Sequence, residues 1–145
     1  FGTALVEPLP LGPGEWANAP VPASLARTGD DHWRLAIRLG PSPMYYDFRD
    51  APADEALLQR LCDWQGRDEA SVFVQNLVVQ GRAPGEHRML RGRVFTRTGA
   101  HGAEQRVLDS AAELLDVLGG EFSLDEPAAA DLWDPICARH AALFG

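Results

Sequence analysis

The sequence contains no lysine: all 13 basic side chains are arginine, set against 21 carboxylates for a formal charge of −8. The missing ammonium group excludes Schiff-base chemistry and a lysine general base. The shortage of positive charge argues against a duplex nucleic-acid partner and against an anionic membrane surface, since both bind through clustered cations. Cysteine is scarce, with only Cys62 and Cys137. Two are too few for a secreted disulfide framework, so a reducing cytoplasm is the expected setting. No apolar run approaches the ~20 residues that span a bilayer, and no signal-peptide pattern opens the chain. A glycine-rich phosphate loop and a dinucleotide fingerprint are both missing. So is an initiating methionine: Phe1-Gly2 comes first, which suggests a processed N-terminus or a piece of a longer protein.

What is present is globular composition: 145 residues, 46% hydrophobic and 23% charged. A chain of this size buries roughly 70% of its unfolded surface and needs no metal or disulfide staple. The proline-rich stretch from Phe1 to Pro22 reads as edge strand and loop, because proline removes a ladder donor. Thr28 to Asp31 is a turn signal. After it Trp33, Leu35, Ile37 and Leu39 alternate with Arg34, Ala36 and Arg38, the period of a half-buried antiparallel strand. Met44 to Phe48 is its expected hairpin partner.

From Asp50 to Gly66 the period becomes helical, with Leu57, Leu58, Leu61 and Cys62 on one side and Gly66 placed for a C-cap. Ser71 to Gln80 reads as a strand, Met89 to Arg97 as a second and Glu104 to Leu108 as a third. Ser110-Ala111-Ala112-Glu113 is a capping box opening a helix that Gly119-Gly120 is expected to stop. Asp125 or Asp131 could cap a last helix running to Phe144, which Pro135 would distort or restart. The expected class is α+β: an antiparallel β-barrel portion (1–50), a connecting helix (51–68) and an α/β lid (69–145).

Candidate chemistry is sparse. Cys137 and His140 lie three apart on the last helix and could pair as nucleophile and base. A plain packing role for that helix is the competing reading, and the same holds for Cys62 among its leucines. Asp30-Asp31-His32 has metal-ligand types but sits in an expected turn, so no metal site is expected. His101 lies in a second turn. Arg91, Arg93 and Arg97, read on one strand face with Arg88 just before, form either a cationic stripe for a phosphate-bearing ligand or a solvated face paired with acids.

In order, the landmarks resemble the C-terminal part of the arylamine N-acetyltransferase family and of its bacterial relatives, the macrolactam-forming amide synthases. Phe1-Gly2 matches the end of an Asp-Val-Gly-Phe-Gly segment, and Leu5-Val6-Glu7-Pro8-Leu9-Pro10-Leu11 matches an apolar-Glu-Pro-Leu-like run. Met44 to Phe48 resembles a barrel strand, and Phe73-Val74 with Leu77 is similar to Phe-Val-x-x-Leu. Met89-Leu90-Arg91-Gly92-Arg93 with Asp109 to Leu115 resembles a Leu-Arg-Gly-Arg strand and the helix beyond it.

The resemblance implies a cysteine-dependent acyltransferase moving acetyl from acetyl-CoA to an arylamine or similar amine. Its Cys, His and Asp fall upstream of Phe1, so the chain itself holds no catalytic residue and is expected to be inactive alone. Phe1, Gly2 and Phe73 are implied to line the acceptor pocket. The implied partners are the N-terminal part of the same enzyme or a complementary chain, and a small-molecule amine with its acyl donor. The acidic pair Asp68-Glu69, in place of a family Asn-x-Tyr-x-Ser run, would repel CoA phosphates if it faced them. A carrier-bound acyl thioester therefore stands beside acyl-CoA as donor. The alternative is a non-catalytic binding or scaffold module that kept the fold.

Overall fold

In a computed structural model, Leu5, residues 7–38 and residues 42–144 are described. Two sheets, each four-stranded, carry the fold. The first runs in sequence order through β1 (Gly14–Trp16), β2 (Ala23–Arg27), β3 (His32–Arg38) and β4 (Pro43–Arg49), all antiparallel. Among the described residues this sheet is open and closes no barrel. The alternation read in β3 holds: Trp33 and Ile37 are buried while Arg34 and Arg38 are exposed. β2 was not anticipated; its short apolar-polar alternation is blurred by Ala26, which faces outward. Arg34 stands directly across from Asp47 and donates from Nε and Nη2 to its two carboxylate oxygens, each at 2.7 Å. A bidentate cross-strand pair fixes register, because a one-residue slip would put the two on opposite faces. The hydrogen bonds from Arg34 hold the Asp47 carboxyl below its ordinary range.

Helix α1 (Glu55–Arg67) starts where the carboxylate of Asp54 accepts from the Leu57 amide at 2.9 Å. It ends at Asp68 in extended backbone, so Gly66 is inside the last turn and is not the cap. None of its residues is buried, and Leu57, Leu58, Leu61 and Trp64 are each 42–46% exposed. Cys62, expected in a core, is likewise exposed. The helix is amphipathic as read, but the described residues do not cover its apolar face.

The second sheet is a meander of β5 (Val78–Ala83), β6 (Glu86–Arg91), β7 (Val94–Gly99) and β8 (Gly102–Val107). Two expectations fail here. Met89–Arg97 is a hairpin and not one strand, because Gly92 adopts φ 57° and turns the chain back within two residues. Ser71–Gln80 begins with the helical turn α2 (Val72–Gln75), not with strand. The buried Ser71 accepts from the Phe73 amide at 3.2 Å and donates to Gln65 O at 2.7 Å, and this cap overrides the β preference of Val-Phe-Val.

Helix α3 (Ala111–Phe122) carries the expected capping box: Ser110 Oγ accepts from the Glu113 amide, and Glu113 accepts from the Asp109 amide. It runs through Gly119-Gly120 and ends at Ser123 with φ 57°. Phe122 explains the extension, since its ring meets Phe95 edge-on at 6.0 Å and keeps the last turn wound. A 3₁₀ turn (Pro127–Leu132) then leads directly into α4 (Trp133–Phe144), so Asp131 falls inside the turn and does not cap α4. Pro135 sits in the first turn of α4, where a missing amide proton costs nothing.

The chain forms two compact units. One comprises the residues up to Pro52 together with Arg82–His87 and Thr98–Gly102; the other comprises Ala53–Gly81, Arg88–Arg97 and the residues from Ala103 on. The core of the second unit joins Leu90 and Phe95 of the sheet to Leu108, Leu114, Val117 and Leu118.

Candidate functional site

The second unit holds an apolar cavity of about 220 Å³, assembled from the α1–α2 connection outward. Asp68 turns the chain out of α1: its carboxylate accepts from the Ala70 amide and its carbonyl from the Ser71 amide, both at 2.9 Å. Ser71 then launches α2, leaving Val72, Phe73 and Val74 about half exposed. Asn76 closes the turn, donating from Nδ2 to Val72 O at 2.7 Å.

Helix α4 is clasped to this turn by one side chain. Arg139 Nε donates to Asn76 Oδ1 at 3.1 Å, and Arg139 Nη2 donates to Gln75 Oε1 at 3.3 Å. Between the turn and the helix lies the cavity, with Phe73, Leu77, Leu132, Ile136 and Leu143 as apolar wall. Arg91, Arg139 and His140 supply its charged and imidazole groups, and among the described residues no carboxylate lines it. Arg91 is exposed and makes no ion pair among the described residues.

Of the residues singled out in the sequence, Phe73 lines this cavity. Phe1 and Gly2 lie outside the described residues. Cys137 and His140 share α4, but only His140 borders the cavity, while Cys137 is a half-buried free thiol. Asp31 pairs with its neighbour His32 in an exposed turn, and among the described residues no cluster of three metal-ligating side chains occurs. His101 is exposed in the β7–β8 turn.

The arginine stripe does not exist as read, because Gly92 separates its members. Arg88 and Arg97 converge on Glu121; Arg97 Nη2 bridges both carboxylate oxygens at 2.8 and 2.7 Å. Arg93 donates to Leu108 O at 2.8 Å and lies over the Trp133 ring. Arg91 alone is left for the cavity. Sequence reasoning missed Arg139 and its two amide partners. The spacing of Pro135, Ile136, Arg139, His140 and Leu143 on one face of α4 was the signal that could have found them.

A buried titratable group lies in the other unit. His87 is 1% exposed, and burial, aided by the Arg82 cation, holds its pKa below the usual 6.5. Arg82 Nη2 reaches Asn18 O and Ala19 O at 3.3 and 3.4 Å, while its Nε and Nη1 are buried without hydrogen-bond partners. A histidine neutral in the fold but protonated when unfolded gives stability that is complete above pH ~6.5 and declines as pH falls below that value. Denaturant titrations from about pH 8 to about pH 5 are expected to show a steeper loss for the native chain than for His87→Gln. Parallel curves for the two would contradict this assignment. Arg82→Met is expected to move the His87 titration, followed by NMR, back upward.

A family model described as N-acetyltransferase matches residues 1–129. Among solved structures the chain is similar to the M. smegmatis arylamine N-acetyl transferase, at 26% identity and TM-score 0.76 over 91% of this chain and 49% of that one. It is similar to the Mycobacterium marinum arylamine N-acetyltransferase at 25% identity and TM-score 0.73, over 91% of this chain and 48% of that one. The Mycobacterium marinum structure in complex with CoA aligns at 24% identity and TM-score 0.65, over 82% of this chain and 44% of that one. The chain thus spans about half the length of these relatives. No curated protein sequence matches it significantly.

Proposed function

The chain belongs to the N-acetyltransferase family, and from that membership we propose that it is the C-terminal part of a cysteine-dependent N-acyltransferase. The reaction is transfer of an acetyl or related acyl group from a thioester donor such as acetyl-CoA to an arylamine or similar amine. The match over residues 1–129 carries this reading. The similar solved structures are arylamine N-acetyltransferases, one of them in complex with CoA, which supports an acyl-CoA donor.

The nucleophilic thiolate, its imidazole base and the carboxylate that orients the base belong, on this reading, to sequence preceding Phe1. Such a triad raises the thiolate fraction and divides the transfer into two steps through a thioester. This chain contributes the wall. Phe73, with Phe1 and Gly2, lines the acceptor side and keeps water from the thioester. The uncovered stripe of Leu57, Leu58, Leu61 and Trp64 fits a helix that a partner polypeptide covers, since exposed apolar patches of this kind mark interaction sites.

The test begins with the codons upstream of Phe1, where an Arg-Gly-Gly-x-Cys-like run followed by a His and an Asp-Val-Gly is expected. The joined polypeptide, given acetyl-CoA, should show an acetyl adduct on that upstream cysteine by intact mass and should convert an arylamine to its amide. The 145-residue chain alone should show neither. Acylation of Cys62 or Cys137 in the isolated chain would overturn the reading. A joined protein that binds the amine but never acylates would assign the chain to a scaffold role.

A further inference from the structure

The cavity beneath α4 defines a ligand by its charge balance. The protein carries a net charge of −8, yet among the described residues two arginines, one histidine and no acid border this space. Arg139 is held by neutral amide oxygens of Asn76 and Gln75, and no carboxylate pairs with it among the described residues. Arg91 is exposed at the same border without an ion pair among the described residues. An apolar cavity of about 150 Å³ is known to admit benzene, so the 220 Å³ here admits a ring with a short side chain.

We propose that this cavity binds a small amphipathic monoanion, an arylalkyl carboxylate, with its ring against Phe73, Ile136 and Leu143 and its carboxylate on Arg91. The guanidinium fork matches a carboxylate through two parallel hydrogen bonds. A phosphate ester would bring a second charge, and the other guanidinium at this border, that of Arg139, is already engaged in clasping α4 to α2. A neutral ring would leave both cations facing an apolar guest. Phe73 also belongs to the acceptor wall proposed above, so at that residue the inference rests on that reading; binding is read on this chain alone, so its failure would leave acyl transfer by the joined polypeptide untouched.

The test is titration of the full chain with 3-phenylpropionate and with its neutral analogue 3-phenylpropionamide, followed by calorimetry and by the methyl resonances of Ile136 and Leu143. The acid is expected to bind saturably and to shift those methyls, and the amide to bind about tenfold or more weakly. Arg91→Gln should reduce the acid's affinity by a similar factor and leave the amide's unchanged. Equal affinities for acid and amide, absence of saturable binding, or an undiminished affinity in Arg91→Gln would each overturn the proposal. The acid-against-amide comparison uses the unaltered chain, so it decides the matter even where the variant misfolds.

Discussion

Leu114→Ala is expected to lower the unfolding free energy by about 2–5 kcal/mol, the range for a leucine removed from a closed core. Leu114 has no exposed surface and sits in the first turns of α3, packed with Leu90, Leu108, Val117 and Leu118. Truncation there removes transfer energy and leaves a cavity, because sheet and helix cannot both close over it. Leu58→Ala is the matched control. Leu58 is 46% exposed on a helix without buried residues, so its loss should change the stability of this chain by less than about 0.5 kcal/mol. Denaturant midpoints at constant slope measure both. A cost under about 1 kcal/mol at Leu114 would mean that the core is not closed.

The second large effect is expected at Glu121. Its side chain is 23% exposed and receives both hydrogen bonds from Arg97, while Arg88 donates to its carbonyl at 2.8 Å and lies 3.7 Å from its carboxylate. One acid thus ties β6 and β7 to the last turn of α3. Glu121→Ala should cost about 1–2 kcal/mol, allowing for screening at the partly exposed arginines. Glu121→Gln, which keeps one acceptor oxygen, should cost less. A double-mutant cycle with Arg97→Ala isolates the pair, and a coupling near zero would show that the two act independently.

Both effects fall in a region only partly legible in the sequence. The capping box at Ser110 and Glu113 and the alternation of β3 were readable because each is a local pattern with a local physical cause. The hairpin at Gly92 was not, because apolar and arginine residues continue in register on both sides of a two-residue turn. Phe73 was read on a strand because β-branched neighbours outvoted a serine whose capping partner and backbone acceptor appear only in three dimensions. Gly119-Gly120 was read as a stop because the contact of Phe122 with Phe95, which holds the helix together beyond it, is a tertiary one.

The cavity was least legible. Its polar clasp joins Arg139 to Asn76 across a separation of 63 positions, and no local window carries such information. Its apolar wall was divided between a turn mistaken for strand and a helix read only for its Cys137–His140 pair. The arginines show the same limit. Their number was plain in the composition, but the structure alone shows that Arg88, Arg93 and Arg97 are engaged while Arg91 makes no ion pair among the described residues.

The way the two units share the second sheet limits how this protein can be divided. The β5–β6 and β7–β8 turns belong to the unit of the first sheet, and His87 is buried there while Arg82 ties its turn to the carbonyls of Asn18 and Ala19. A protease cut or a gene fusion placed after Pro52 would take from His87 the surroundings that bury it and from Arg82 the carbonyls it reaches. A chain divided there is therefore expected to open His87 to solvent and to fold less readily than the undivided one.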